Sequence, residues 1–575
     1  MAQIDGGTIL ARTFRAHDVT TVFTLHGGHL DGAFQALAAD GVRLVDTRHE
    51  QAAGIAATGY ARSTGKIGVA MVTAGGGVTN VVTAIANAYA DCVASVFLGG
   101  APPLRDFDAL PVNSGYDQLS LMGGITKWAH RVTHVELIPY VLDRAFHLAR
   151  EGRPGPVYVD LPSDVLFAFC DETKLTYLKS PRVVASPAPS KNAVDEALGM
   201  LRGAERPVIL AGGGVAYSGA STELLRFAEL SGIPVMTNYK ARGALPTDHP
   251  LYARGFATLA AASRRGAGEA DVALVLGARF GIYTGGSRRS FLPDSTTVIQ
   301  VDIRPEEIGR LRNVQLGIVA DCREMLAALI ERAGNGNWND YATWVSGLCG
   351  PAAAAAPASA TGGDQIDPGQ LADVIAKLAP EDAIYVVDGG ETPAWLDAVA
   401  KTAAPGRFLA HGYMGIMGEG MPLAVGAQVG NPNSRVICFT GDGAVGFNFA
   451  EFDTMVRHGL PIIVVVNNNR AWGMSSNGQD LLYGKGHRVV SDLAPTHYEI
   501  AASGFGAHAE YVDKIKDFPA AFSRALQSGK PACINVMTDP SVVHPITQRL
   551  MGLAAEGMRS SEGKARIPYA DVLEV

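Results

Sequence analysis

The feature that most limits what this chain can fold into is a repeated alternation of short, continuous apolar runs with Gly-containing turns and Ala-rich stretches. Apolar runs of this kind are typical of strands that are buried on both faces of a parallel sheet. The alternation occurs in three blocks, with runs such as TVFTLHG (21–27), RPVILAGGG (206–214) and LPIIVVVNNN (460–469). We therefore expect an α/β protein with three doubly wound parallel-sheet domains.

Two stretches of biased composition separate the blocks. Pro-rich residues 180–190 follow the first block, and residues 350–364, rich in Ala, Pro and Gly, follow the second. Linkers have such compositions, and 575 residues suffice for three or four domains of roughly 150 residues. The expected domains are 1–180, 190–340 and 365–540, followed by a tail at 541–575 without a strand pattern.

Composition and charge exclude several classes of protein. The 48 Lys and Arg residues against 56 Asp and Glu residues give a net charge of −8 without a basic block, so we expect no nucleic-acid partner. No apolar run reaches the ~18–20 residues needed to cross a bilayer, so we expect no membrane partner. The six cysteines never form a CxxC pair, which argues against zinc. The first residues lack the apolar core of a signal peptide, and we expect a cytoplasmic protein.

The most informative segment is GDGAVGFNFAEFDTMVRHGLPIIVVVNNNRAWG, residues 441–473. Asp442 ends one predicted strand, a helix crosses over, and Asn469 follows the next strand. Because parallel strands end at the same sheet edge, Asp442 and Asn469 can converge there. A carboxylate, an amide oxygen and a backbone carbonyl suit Mg²⁺ that also holds a diphosphate, and Gly441 and Gly443 permit close approach of the phosphates. A chance pair of surface turns is the alternative, but the spacing and the intervening elements favour the phosphate site.

Residues 441–469 resemble the diphosphate signature of thiamine diphosphate enzymes. The chain is similar to the pyruvate oxidase and acetohydroxyacid synthase superfamily, and most closely to its benzaldehyde lyase-like members. Further matching motifs are TLHGGHLD (24–31), DTRHEQAAG (46–54), VTAGGGVTN (72–80) and HGYMGIMG (411–418). The resemblance implies a pyrimidine-binding domain, a central Rossmann-like domain, a diphosphate-binding domain and a C-terminal lid segment.

The resemblance also implies the cofactors, thiamine diphosphate and Mg²⁺. Glu50 corresponds to the activating glutamate, which donates a hydrogen bond to the pyrimidine ring and must be protonated to do so. The implied metal ligands are Asp442, Asn469 and Ala471. The implied cofactor-binding residues are Glu50, Thr73, Gly389, Gly390, Gly415, Met417, Gly441, Asp442, Gly443, Ala444, Asn469, Ala471, Trp472, Gly473 and Met474. Whether the central domain also holds ADP or CoA is left open.

Further catalytic residues are implied by position. His29 matches the active-site histidine of benzaldehyde lyase, and His411 matches a second histidine near the cofactor; neutral imidazoles can relay a hydroxyl proton. Asn113 stands where benzaldehyde lyase has glutamine, and Pro393 replaces a pocket tyrosine, so the substrate pocket differs. Glu499 is aligned with a pocket glutamate of some 2-hydroxyacyl-CoA lyases. An exposed helical glutamate is the alternative at that position.

The tail (544–575) resembles the C-terminal lid of bacterial 2-hydroxyacyl-CoA lyases. The leading hypothesis is therefore a thiamine diphosphate- and Mg²⁺-dependent C–C lyase and carboligase that reversibly cleaves 2-hydroxyacyl-CoA to formyl-CoA and an aldehyde or ketone. One alternative is cleavage and ligation of free acyloins such as benzoin. Another is a 2-keto acid decarboxylase or acetolactate-type synthase. A purely regulatory homologue would be expected to lack Glu50 or the Asp442–Asn469 pair.

The resemblance also predicts the assembly. In these enzymes the first domain of one subunit completes a site on the third domain of another, so that a monomer carries only half-sites. We expect a homodimer at minimum, and a homotetramer as the family's usual state.

Overall fold

The computed structural model describes residues 3–178, 185–281, 292–334, 336–350 and 365–558. The predicted linker at 350–364 lies almost wholly outside these ranges, as does the tail beyond Met558. Within the described part of the chain, no helix is both long enough and apolar enough to span a membrane.

The first block forms a six-stranded parallel sheet in the order β3-β2-β4-β5-β7-β6. A small antiparallel pair, β1 with β8, joins the two ends of the block. Its strands are β1 Gln3–Asp5, β2 Thr21–Leu25, β3 Arg43–Asp46, β4 Gly68–Val72, β5 Ser95–Ala101, β6 Ala129–Arg131, β7 Pro156–Pro162 and β8 Phe169–Asp171. Its helices are α1 Gly6–Ala16, α2 Asp31–Ala39, α3 Glu50–Thr64, α4 Gly76–Asp91, α5 Gln118–Met122, α6 Ile138–Arg150 and α7 Ser163–Phe167.

The second block forms a five-stranded parallel sheet in the order β10-β9-β11-β12-β13. Its strands are β9 Pro207–Ala211, β10 Val235–Thr237, β11 Val272–Leu276, β12 Thr297–Asp302 and β13 Leu316–Val319. Its helices are α8 Lys191–Arg202, α9 Gly213–Tyr217, α10 Ser221–Ser231, α11 Thr258–Arg264, α12 Cys322–Ala333 and α13 Ala342–Cys349.

The third block repeats the six-stranded parallel plan in the order β15-β14-β16-β17-β19-β18. Its strands are β14 Ile384–Asp388, β15 Phe408–Leu409, β16 Val436–Gly441, β17 Ile463–Asn468, β18 His508–Val512 and β19 Ala532–Met537. Its helices are α14 Pro368–Leu378, α15 Thr392–Val399, α16 Gly420–Gly430, α17 Asp442–Val445, α18 Glu451–Arg457, α19 Gly473–Tyr483, α20 Tyr498–Gly504 and α21 Phe518–Ser528. The fold class predicted from the sequence is confirmed.

The first and third blocks share one apolar core, in which helices α3 and α16 pack with almost no space between their backbones. A Cβ on Gly426 would lie 1.9 Å from the carbonyl oxygen of Ala56, and a Cβ on Gly59 would lie 2.5 Å from that of Leu423. This close approach explains why both helices are rich in Gly and Ala.

The tail has a structure that the sequence did not predict. Helix α22, Pro545–Met558, packs against α19 at the edge of the third block. The sulfur of Met551 would be 2.9 Å from a Cβ on Gly478, so the Met551 side chain packs directly on this glycine. The start of the tail is therefore part of the folded domain.

Candidate active site

A cavity of about 940 Å³ lies at the carboxyl edge of the third sheet. Three turns supply its floor: Gly389–Gly390 after β14, Gly441–Ala444 at the end of β16, and Asn469–Met474 after β17. These strands are adjacent and parallel, which is why segments far apart in sequence meet here. Residues of the central block and of the tail complete the walls.

Asp442 and Asn469 converge on one backbone group. The N–H of Ala471 lies 3.2 Å from Asp442 Oδ2 and 3.2 Å from Asn469 Oδ1. Burial raises the pKa of Asp442 to about 7, although the backbone N–H groups of Gly443 and neighbouring residues oppose the shift. A carboxylate that is costly to ionise, beside an amide oxygen, fits a divalent cation, whose charge would offset the burial.

No group of three or more His, Cys, Asp or Glu residues arranged for a metal is found among the described residues. The predicted Mg²⁺ site would not contain such a cluster. Its predicted donors are one carboxylate, from Asp442, one amide oxygen, from Asn469, and the backbone carbonyl oxygen of Ala471. Asn467, which the sequence analysis did not single out, adds a further acceptor to the cavity. Its Nδ2 donates to Thr392 Oγ1 at 3.2 Å, while its buried Oδ1 has no partner.

Two glycines of this edge have packing roles as well as a possible phosphate role. A Cβ on Gly443 would lie 2.6 Å from the ring of Trp472, and one on Gly390 would lie 2.6 Å from the Cβ of Met474. At Gly441 the nearest atom would be 3.5 Å away, so space remains there. The helix after Gly441 is only four residues long. Both Gly441 and Gly443 were predicted to permit close approach of a diphosphate. Only Gly441 has free space beside it for such an approach.

The loop before α16 brings the other predicted residues of the third block to the same cavity. His411, Gly415 and Met417 all line it. Gly415 has φ +58°, a conformation that favours glycine. Burial lowers the pKa of His411, an effect that the nearby Asp91 carboxylate opposes. A neutral imidazole near neutral pH follows from this lowered pKa.

The residues predicted in the first block form a second group at the edge of the first sheet. Glu50, the first residue of α3, is 7% exposed and accepts a hydrogen bond from Asn80 Nδ2 at 2.9 Å. His29 Nδ1 lies 3.3 Å from Thr73 Oγ1, and burial lowers the pKa of His29. Asn113 has φ +65°, and its backbone would lie 2.8 Å from a Cβ on Gly75.

The two groups do not meet within one chain. None of the described residues that line the large cavity comes from the first block. Asn113 instead lines a smaller cavity of about 300 Å³ together with Tyr116 and Gln118. Each group holds part of the chemistry expected of a complete site.

Glu499 belongs to neither group. Its carboxylate is buried and accepts from Asn535 Nδ2 at 2.7 Å, and His497 Nδ1 lies 2.6 Å away. Glu499 is absent from the described lining of the large cavity. It is therefore not the exposed residue of the alternative reading, and this geometry gives no support to its predicted contact with substrate.

Three residues of the tail and α19 surround Glu391, which the sequence analysis missed. Asn477 Nδ2 donates to Glu391 at 3.1 and 3.2 Å. Burial raises the pKa of Glu391, and the nearby Thr547 side chain and His544 backbone oppose the shift. Glu391 thus lies where the tail meets the cavity wall. No local sequence pattern could reveal this link, because its partners are more than 80 residues away.

Comparisons with known proteins agree with this architecture. Residues 4–122 match the N-terminal TPP binding domain of thiamine pyrophosphate enzymes, residues 194–329 match their central domain, and residues 388–536 match their C-terminal TPP binding domain. The chain therefore belongs to the family of thiamine diphosphate enzymes.

Three curated relatives are similar over nearly the whole chain. A probable acetolactate synthase of Mycobacterium bovis is 34% identical over 94% of this chain and 96% of its own length. A probable acetolactate synthase large subunit of Methanocaldococcus jannaschii is 33% identical over 94% and 93%. The isozyme 2 large subunit of acetolactate synthase from Escherichia coli is 31% identical over 93% and 96%. The names of these three relatives favour the acetolactate-type synthase among the alternatives considered from the sequence.

Proposed function

We propose that this thiamine diphosphate enzyme is a reversible C–C lyase and carboligase that cleaves 2-hydroxyacyl-CoA to formyl-CoA and an aldehyde or ketone. The observation that carries the proposal is the large cavity, which extends from the Asp442–Asn469 edge to the central block and the tail helix. Its volume of about 940 Å³ leaves room for a large substrate beside a cofactor.

The residues present fit the two cofactors. Asp442 and Asn469 would hold Mg²⁺ and, through it, the diphosphate, and Met417 would support the rings. When bound, thiamine diphosphate supplies a nucleophilic carbon for attack on a carbonyl. Glu50 would hold a proton between its carboxyl group and the pyrimidine nitrogen.

The two histidines would move the substrate proton. In the tautomer in which His29 Nδ1–H donates to Thr73 Oγ1, Nε2 is free to accept a proton from the 2-hydroxyl. The lowered pKa of His29 keeps this nitrogen unprotonated at neutral pH. As the 2-hydroxyl loses that proton, its oxygen would become the carbonyl oxygen of the released aldehyde or ketone. The bond between C1 and C2 would break, and its electron pair would remain with C1, which would take up a proton to become the formyl carbon. The reverse sequence would join the two fragments.

Two arginines support a CoA thioester as the substrate. Arg264 ends α11 of the central block, Arg549 lies on α22 of the tail, and both line the cavity. Their charges are close enough to interact, since the pKa of Arg549 is lowered by burial and by Arg264. Phosphate groups between two guanidinium groups would relieve this repulsion.

The second candidate is a synthase that joins two 2-keto acids, as the names of the relatives favour. It would use the same cofactor site and the same chemistry of attack on a carbonyl. In that case the arginines would face a carboxylate rather than phosphates.

Parallel assays with 2-hydroxyacyl-CoA, benzoin and pyruvate separate these reactions. We expect formyl-CoA and an aldehyde from the first substrate. CO₂ from pyruvate as the main product, without aldehyde from either hydroxy compound, would overturn the lyase proposal and favour the synthase.

Variants of the arginines test the thioester. Arg264→Gln and Arg549→Gln should each raise KM for the CoA substrate by about 10-fold, the effect of one lost charge-assisted hydrogen bond, and leave benzoin cleavage unchanged. Arg265→Gln is the matched control, because Arg265 is the exposed neighbour on the same turn and does not line the cavity. Equal KM values for all three variants would contradict the phosphate contact.

A further inference from the structure

The carboxylate of Asp91 is a point where all three blocks meet. Asp91 is the last residue of α4 and is 1% exposed. Its Oδ1 accepts from Lys240 Nζ of the central block at 2.7 Å and from the backbone N–H of Tyr413 of the third block at 3.1 Å. Lys240 Nζ also donates to the carbonyl oxygen of Asp91 at 3.2 Å.

The loop that begins at His411 is fitted closely to this ion pair. A Cβ on Gly412 would lie 1.8 Å from Asp91 Oδ1, so only glycine can follow His411 here. The ring of Tyr413 lies 5.1 Å from Lys240 Nζ and 4.3 Å from the guanidinium of Arg279. The first turn of the loop therefore has little freedom to shift.

Ala410, the residue before His411, is held by a residue of the first block, the block to which Asp91 also belongs. Arg62 of α3 donates through Nη2 to the carbonyl oxygen of Ala410 at 2.8 Å. His411 is thus flanked by two backbone groups, one bound by Arg62 and the other by Asp91. A shift of either contact would move the imidazole relative to the cavity.

We propose that Asp91 and Lys240 are positioning residues, which hold the 411–417 loop so that His411 and Met417 face the cofactor. This inference rests on the proposed function, because it assumes that the cofactor lies in the large cavity. Lys240 also lines that cavity, whereas Asp91 does not, and the proposed function has no reacting atom in contact with Asp91. It acts through the N–H of Tyr413, and Lys240 keeps its buried charge balanced.

Two double variants isolate the contact. Asp91→Asn with Lys240→Met removes both charges and retains an oxygen that can accept from the Tyr413 N–H. Asp91→Ala with Lys240→Met removes the same charges and leaves this N–H without an acceptor. The two proteins carry the same charges, because Asp91 and Lys240 are both neutralised in each. They differ in the amide group of residue 91, which includes the acceptor for the Tyr413 N–H.

Kinetics and hydrogen exchange are measured on holoenzymes saturated with thiamine diphosphate and Mg²⁺, and cofactor affinity is measured on the apo-proteins in the presence of Mg²⁺. We expect the alanine double variant to have kcat about 10-fold lower than the asparagine double variant, the worth of one buried hydrogen bond, with KM for substrate within 2-fold or so. Its Kd for thiamine diphosphate should rise about 10-fold by calorimetry. Hydrogen exchange in the peptide that contains Tyr413 should be faster by a similar factor.

The outcomes separate the two proposals. Equal exchange, Kd and kcat in the two double variants would overturn the positioning role, whereas a wild-type chain that binds no thiamine diphosphate would overturn the proposed function. If both double variants fail to fold, Gly412→Ala serves instead, because its methyl group would displace the loop from Asp91. An unchanged Kd and kcat in Gly412→Ala would count equally against the inference.

Discussion

Asp442 illustrates how burial sets the conditions under which this site can work. Its pKa of about 7 means that, without a cation, the carboxyl group is protonated below neutral pH. A divalent cation needs the carboxylate, so binding must release this proton.

Mg²⁺ affinity should therefore fall as pH is lowered through 7, by roughly tenfold per pH unit while one proton is displaced. Calorimetric titration of the apo-protein with Mg²⁺ and thiamine diphosphate between pH 5.5 and 8 would measure this slope. Asp442→Asn should bind weakly, because its side chain carries no negative charge, and equally weakly at every pH, because it does not titrate. A wild-type affinity that does not vary with pH would contradict the role of Asp442 as a ligand.

A proton-transfer role for His29 can be tested against a matched control, because His26 lies three residues earlier in the chain. His29→Ala should lower kcat by about 10²-fold or more, the usual contribution of a positioned acid–base group. His26→Ala is the matched control, since His26 is exposed and pairs with Asp31 at 2.8 Å. Steady-state kinetics on the CoA substrate, with stopped assays for the aldehyde, would compare them. Similar kcat values for the two variants would remove His29 from the reaction.

At the scale of elements, the contact between α3 and α16 is the one most sensitive to size. Gly426→Ala should destabilise the protein by about 2 kcal/mol or more, because its methyl group would overlap the backbone of α3 and overpacking of this kind is costly. Gly199→Ala is the control in helix α8, where nothing lies within 4 Å of the added Cβ. It should stabilise by about 0.5–1 kcal/mol, since alanine is the better helix former.

Thermal and urea unfolding of both variants would test the difference. If Gly426→Ala melts at the temperature of the wild type, the two helices are further apart in solution than this structure places them.

The elements also show how far the sequence could predict the fold. The runs 206–214 and 460–469 were recognised because strands β9 and β17 lie inside their sheets and are largely apolar. Four of the six edge strands of the three large sheets, β6, β13, β15 and β18, were not predicted, since each of the four is short or partly exposed and lacks a long apolar run. Helix α22 was also not predicted, although Pro545 at its start and His544, whose Nδ1 accepts from the N–H of Ile546 at 3.0 Å, are start signals for a helix.

The site could be predicted to the extent that its residues lie in local motifs. Asp442 and Asn469 were found because a fixed strand–helix–strand unit separates them. Glu391 and Asp91 were not found, because their partners come from other blocks and no spacing records such contacts. The predicted roles of His29, Asn113 and Glu499 stay predictions, and for Glu499 the geometry is unfavourable.

At the scale of the whole molecule, the separation of the two residue groups supports a site shared between subunits. Mixing inactive Glu50→Gln with inactive Asp442→Ala should restore activity, because a mixed dimer has one site with both lesions and one with neither. With random exchange, activity should reach about a quarter of the wild-type value, since half the dimers are mixed and each has one intact site. Activity assays after subunit exchange, with mixed dimers verified by mass, would measure this.

Each variant exchanged with itself is the control and should stay inactive. Mixed dimers that remain inactive, although each variant is folded, would show that a single chain supplies the whole site. Native mass spectrometry of the wild type would establish in the same preparation whether the assembly is a dimer or a tetramer.

The two ends of helix α4 lie near different groups of predicted site residues, one in the first block and one in the third. It begins at Gly76, one residue before the glycine that packs near Glu50, and ends at Asp91 under the His411 loop. Its 16 residues span ~24 Å as a rigid rod. In a dimer with shared sites, each rod would have one end in each of the two reaction centres. The two centres of such a dimer would then be joined directly by two copies of this helix, one from each subunit.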